Sequence, residues 1–178
     1  EIAQCLVGSE MCIRDRPNKA HIKLSELERI GKLKAVVTQN IDGLHQAAGS
    51  KKVYELHGSV LRNYCMKCNR FYDADFIRKC SGIPRCTCGG IIKPDVVLYQ
   101  EGLSDSVING AVTSIKEADL LIVGGTSLNV YPAAGLIKYR SKDCFLLLIN
   151  LTETPADSFA DMVIHDSIGK IMGSIMSG

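Results

Sequence analysis

The sequence predicts an α/β protein: a parallel sheet with helices on both faces, plus a small inserted metal-binding module. Three observations carry this expectation. Continuous apolar runs that end in small polar residues recur as "KAVVTQN", "DLLIVGGTS" and "CFLLLINL", as parallel strands buried on both faces require. Segments with apolar residues at helical spacing lie between these runs. From Ser59 to Pro94 the apolar runs shorten, while cysteine, glycine and basic residues rise.

Taken in order, the first sixteen residues fit neither a helical nor a strand period. They include "CLVGSEMCIRDR", which looks like translated sequencing adapter. Residues 1–16 are therefore expected to be a leader foreign to the fold, and Cys5 and Cys12 are given no role. From Pro17 the pattern is legible. Asn18 is placed to cap a helix carrying Ala20, Leu24, Leu27 and Ile30 on one stripe. "KAVVTQN" follows as a strand, and "VYEL" as a shorter one. Behind Ser104 as a cap, Val107, Ile108, Ala111, Val112 and Ile115 form a second stripe. Ile168, Ile171, Met172, Ile175 and Met176 form a third, and all three are read as core packing. The main domain is expected over 17–58 and 95–178, with the module over 59–94.

Composition narrows the function classes. The chain has 178 residues, 46% hydrophobic and 22% charged, as in an ordinary globular protein. A net charge of +2 provides no drive toward nucleic acid or a membrane surface. No apolar run approaches the ~18 residues of a membrane span. Eight cysteines without a secretory pattern point to metal binding in a reducing, cytoplasmic setting rather than to disulfides.

Within the module, Cys65-x-x-Cys68 is followed after seventeen residues by Cys86-x-Cys88 and two glycines. Each pair can sit on a tight turn that aims two thiolates at one point, and four thiolates complete a zinc tetrahedron. The glycines supply backbone conformations that other residues resist. Cys80 is a spare that lies in a helix-like stretch with no cysteine beside it, so the paired four are preferred. A filled tetrahedron leaves no position for water and is structural.

His57 stands eight positions before Cys65 and is not needed for that tetrahedron. It closes the "VYEL" strand, and ligands of parallel α/β sheets sit beyond the carboxyl ends of strands. Thr38 to Asp42, Gly124 to Ser127, and Ile149 with Asn150 share that address. Their side chains suit a hydroxyl-rich ligand such as a ribose, and glycines admit phosphate to backbone N–H groups. Position alone leaves His57 open as structural or catalytic.

The ordered set "TQNIDGLHQAAG", "ELHGS", the two cysteine pairs, "IKPDVV", "GGTSLNVYPAA" and the later "IN" strand resembles the sirtuin family, NAD-dependent protein-lysine deacylases. The resemblance runs from Pro17 to near the end. It implies a Rossmann-like NAD domain and a smaller zinc-ribbon-like module holding Zn. Gln39 would contact the nicotinamide ribose, and Asn40 and Asp42 the nicotinamide pocket. Gly124, Thr126, Ser127 and Asn150 would bind the adenosine side. Val97 would line the acyl-lysine tunnel. Leu128, Asn129 and Val130 belong to a segment, Gly125 to Val130, that would pair with the backbone of an acylated-lysine protein. His57 would be the catalytic base, drawing a proton from the ribose hydroxyls after the acyl oxygen displaces nicotinamide. The products would be free lysine and 2′-O-acyl-ADP-ribose. Transfer of ADP-ribose to protein is a second reaction open to the same site, and a non-catalytic zinc-containing binding module is a reading from another class.

Two family features are absent: the glycine-rich GAGxS loop that cradles the NAD diphosphate, and the GIPDFR-like segment after it. The chain is therefore expected to be a fragment lacking half of the cofactor site. Isothermal titration of this polypeptide with NAD should show weak binding, and micromolar affinity would refute that expectation.

Overall fold

The first helix, α1, runs Lys19–Arg29 because Asn18 caps it: the Asn18 side chain accepts from the N–H groups of Ala20 and His21. The structure is a computed structural model that describes residues 16–98, 101–128 and 133–175. All but the last residue of the expected leader, and Met176 of the third stripe, lie outside the described residues. After α1 come β1 (Val36–Thr38), α2 (Leu44–Ala47), β2 (Val53–Glu55), β3 (Gly58–Cys65), β4 (Phe71–Asp73), α3 (Ala74–Lys79) and β5 (Ile92–Val96). Then follow α4 (Asp105–Lys116), β6 (Leu120–Gly124), β7 (Phe145–Ile149), β8 (Met162–Ile164) and α5 (Ile168–Ser174), with 3-10 turns at Ala133–Tyr139 and Asp157–Phe159. The described residues form two compact units: 38–43 with 55–98 and 101–103, and 16–37 with 44–54, 104–128 and 133–175.

The larger unit is built on β6-β7-β8, whose ladders are parallel and run from Leu120↔Phe145 to Gly124↔Ile149 and from Leu147↔Met162 to Ile149↔Ile164. Alternate residues of the central strand β7 point to opposite faces. Leu146 and Leu148, both fully buried, pack with Ile137 and Ala156. Ile149 and Leu147 pack on the other side with Ala20 and Met172 from α1 and α5. Helical elements on both faces are therefore what bury the apolar runs. Two stripe ends depart from expectation. Ile30 and Ile175 fall at helix C-caps, where the chain turns away, and stay 42% and 37% exposed. Ser104 occupies the N-cap of α4 but makes no capping bond, its hydroxyl meeting that of Ser106 instead.

The expectation that "KAVVTQN" joins the main parallel sheet is corrected. β1 pairs with β2 in a separate two-stranded sheet. Each strand has only three residues, and their bonds run from Val36 N–H to the Lys52 carbonyl and from Leu56 N–H to the Thr38 carbonyl.

The smaller unit is an antiparallel sheet in the order β4-β3-β5, beginning at Gly58 paired with Val96. Its core is Cys65, Cys86 and Ile92, flanked by Tyr72, Ile77 and Cys88. Asp73 caps α3 through the Phe76 N–H at 2.7 Å, and α3 ends at Cys80. No helix among the described residues is long and apolar enough to cross a membrane.

The central position of β7 makes the larger unit sensitive to cavities. Leu148→Ala should lower unfolding free energy by about 2–5 kcal/mol, read from the denaturation midpoint at unchanged slope.

Candidate functional site

The four expected metal ligands come together. Cys65 ends β3, Cys68 follows on the turn, and Cys86 and Cys88 lie on the turn before β5. Their sulfurs all lie within 4.8 Å of one another. Cys65–Cys88, Cys68–Cys86 and Cys68–Cys88 are 3.4, 3.6 and 3.5 Å apart. That is far beyond a disulfide bond and close to the ~3.8 Å edge of a tetrahedron with zinc–sulfur bonds of ~2.3 Å. The turns are fastened by backbone bonds from Cys65 N–H to Arg70, Met66 N–H to Ile91 and Cys86 N–H to Gly90. At Gly90 a Cβ would stand 2.7 Å from the Cys65 sulfur and 2.8 Å from the Lys67 Cβ, so a side chain there would displace a candidate ligand. Cys80 stays apart, donating its thiol to the Phe76 carbonyl at 3.3 Å.

The electrostatics of these sulfurs ask for a cation. The Cys88 N–H and then the Tyr72 hydroxyl pull the Cys86 thiol down to about 5. At Cys88 the Gly90 N–H favours the thiolate, but the other three sulfurs outweigh it and push the thiol up to about 12. Four sulfurs this close cannot all ionise unaided, whereas a bound dication deprotonates them together. The donor set thus fits Zn²⁺, with no position left open for water.

His57 lies outside this cluster, in the turn between β2 and β3. Its Nδ1 is 3.0 Å from the Gln39 carbonyl oxygen. A carbonyl only accepts, so Nδ1 carries the proton and Nε2 presents a lone pair. The His57 turn is laced to the polar strand end by Leu56 N–H to the Thr38 carbonyl and Val60 N–H to the Ile41 carbonyl. Asn40 is exposed and Asp42 half-buried on that same loop. The half-buried Val97 donates its N–H to the His57 carbonyl at 3.1 Å. At Gly58, which has φ +78°, a Cβ would overlap the Asp95 carbonyl. Only glycine lets the His57 turn lie directly on this strand.

The remaining site residues belong to the larger unit. Asn150 is 6% exposed, and its Oδ1 accepts from Thr126 N–H at 3.0 Å. That fixes the amide so that Nδ2 is its donor, and this nitrogen is buried without a hydrogen-bond partner among the described residues. A buried orphan donor calls for an explanation, and an acceptor on a hydroxyl-rich ligand supplies one. Gly124 ends β6, Ser127 is exposed, and Thr126 accepts the Leu128 N–H through its hydroxyl. Leu128 has φ +55° and turns its side chain into the Ile137–Leu148 core. Asn129 and Val130 lie outside the described residues.

Comparison with known proteins bears on these features directly. The sequence model of the Sir2 family matches residues 6–132. The chain belongs to the Sir2 family. Curated relatives called NAD-dependent protein deacetylase include one from Clostridium perfringens, 64% identical over 162 residues, which cover 90% of this chain and 66% of the relative. Another, from Clostridium acetobutylicum, is 59% identical over 170 residues, covering 94% and 69%. The chain spans about two thirds of the length of these relatives. A solved Sir2 complex with a p53 peptide and NAD+ superposes with a TM-score of 0.85 at 40% identity, covering 90% of this chain and 69% of the other. A Sir2 structure bound to acetylated peptide gives 0.85 at 38% identity, covering 93% and 71%.

Three contacts of this Sir2 chain have no short-range signature. The Tyr72 hydroxyl donates to the Cys86 sulfur at 3.0 Å. Arg62 bonds Glu55 at 2.6 Å and Asp95 at 2.8 Å. Burial opposes the Arg62 charge, but the bonds to both carboxylates prevail and raise its pKa. A charged Glu55 inside the apolar "VYEL" strand was the one visible hint.

Tyr72 supports a metal ligand from outside the coordination shell. Tyr72→Phe should speed zinc loss to a chelator by roughly 10-fold or more, measured by competition with a colorimetric dye, with native zinc content at the start.

Proposed function

We propose that this chain carries the catalytic base and part of the cofactor site of an NAD-dependent protein-lysine deacylase acting in the cytoplasm on acylated-lysine proteins. The observation that carries the reading is the Nδ1 bond from His57 to the Gln39 carbonyl. It sets the imidazole in the tautomer a base needs, beside the polar "QNID" loop and clear of the closed sulfur cluster.

When bound, NAD would supply an electrophilic ribose carbon for the acyl oxygen of the lysine amide, with nicotinamide as its leaving group. His57 receives a ribose hydroxyl proton at Nε2, while the Gln39 carbonyl steadies the ring as it gains charge. Gln39, Asn40 and Asp42 line the nicotinamide side. In the larger unit, Asn150 donates through its otherwise unpaired Nδ2 to the adenosine ribose, beside Gly124, Thr126 and Ser127. Val97 borders the acyl chain. Leu128, Asn129 and Val130 belong to the segment that meets the peptide backbone. Cys65, Cys68, Cys86 and Cys88 hold zinc, which keeps the smaller sheet folded. The relatives' names and the peptide and NAD+ complexes support this reading.

His57→Ala tests it, in the chain completed with the remaining third of the Clostridium perfringens relative. Release of acyl-ADP-ribose from an acetyl-lysine peptide should fall by at least ~10², with zinc content unchanged. Undiminished release would overturn the assignment. Label retained on the protein instead of released would point to ADP-ribose transfer.

A further inference from the structure

The ladder between β3 and β5 is broken at one place. Gly58 pairs with Val96 and Ser59 with Asp95, but the next pair is Asn63 with Pro94. Residues 60–62 are therefore bulged out, leaving no β3–β5 pair between the end that carries His57 and the end that carries Cys65. Bulges next to active sites re-aim side chains and weaken local pairing. Pro94 has no N–H to contribute to the ladder.

Arg62 is the last residue of that bulge. Its backbone pairs with Asp73 of β4, which anchors it to the sheet of the sulfur cluster. Its Nη1 donates to Glu55 Oε2 at 2.6 Å and its Nε to Asp95 Oδ2 at 2.8 Å. Glu55, whose side chain is only 7% exposed, precedes His57 by two residues, and Asp95 precedes Val97 by two. One planar cation thus grips the roots of both functional segments, which meet again where Val97 N–H bonds the His57 carbonyl. Its rigid fork is what allows two carboxylates to be held at fixed separation.

We propose that Arg62 is a positioning residue: it bridges the break in the sheet and holds the His57 turn in register with the Val97 segment. The proposal rests on the reading of His57 as base and Val97 as acyl neighbour. It predicts that the ring orientation of His57 depends on the guanidinium, not merely on neutralising the buried Glu55.

Two variants of the zinc-loaded chain, ¹⁵N-labelled at histidine, separate those roles. The double variant Glu55→Gln/Arg62→Met removes the buried carboxylate together with its cation, so no charge is stranded. It should keep its zinc and most of its thermal midpoint. The His57 nitrogen resonances, split widely by the Nδ1-protonated tautomer, should nevertheless collapse toward exchange-averaged values. Arg62→Lys keeps a cation but cannot span both carboxylates, and should show partial collapse. Native His57 resonances in both variants would overturn the proposal and leave Arg62 a charge-neutralising residue only. The nitrogen signals report geometry whatever chemistry the ring performs. Failure of the His57→Ala test would therefore sink the functional reading without altering this result.

Discussion

Four sulfurs held within 4.8 Å of one another are the constraint on which the smaller unit rests. The cluster of buried residues beneath the sulfurs is Cys65, Cys86 and Ile92, so two of its three members are candidate metal ligands rather than hydrocarbon. A three-stranded sheet with so little apolar surface is poorly stabilised by burial alone. Metal bonds supply what the hydrophobic effect does not, and they do so only when all four thiols are ionised. The opposite pulls on Cys86 and Cys88 express the same constraint in the absence of a dication.

This division of labour explains why His57 is free for other work. The tetrahedron is closed, so the imidazole has no claim on the metal, and its Nδ1 is engaged by the Gln39 carbonyl. A metal closing the sulfur cluster would fasten β3 to the turn before β5, and the His57 turn and the Val97 segment extend from the far ends of those strands. The sulfur cluster and the His57 imidazole belong to one small unit without sharing an atom.

The larger unit is held by other forces. β7 is buried on both faces, Leu146 and Leu148 toward the 3-10 turns and Ile149 toward α1 and α5. Its polar feature is placed by the fold rather than supporting it. Asn150 follows directly on the last buried residue of β7, so its amide is delivered to the strand end in a rigid frame. Among the described residues its Nδ2 has no partner, which is costly for a buried donor.

Features set by residues near in sequence were legible without coordinates. The Asn18 cap, the apolar runs of β6 and β7, the paired cysteines and the location of His57 at a strand end follow from spacing and periodicity, which are local properties of the backbone. Their combination also revealed the family. Other features depended on which distant segments meet. The separation of β1 and β2 from the parallel sheet, the exposure of Ile30 and Ile175, and the Tyr72 bond to Cys86 belong to this second group. So do the tautomer of His57, the orphaned nitrogen of Asn150 and the grip of Arg62 on two carboxylates. Each turns on contacts between residues far apart along the chain, and a pattern of neighbours carries no record of what will lie across from them once folded.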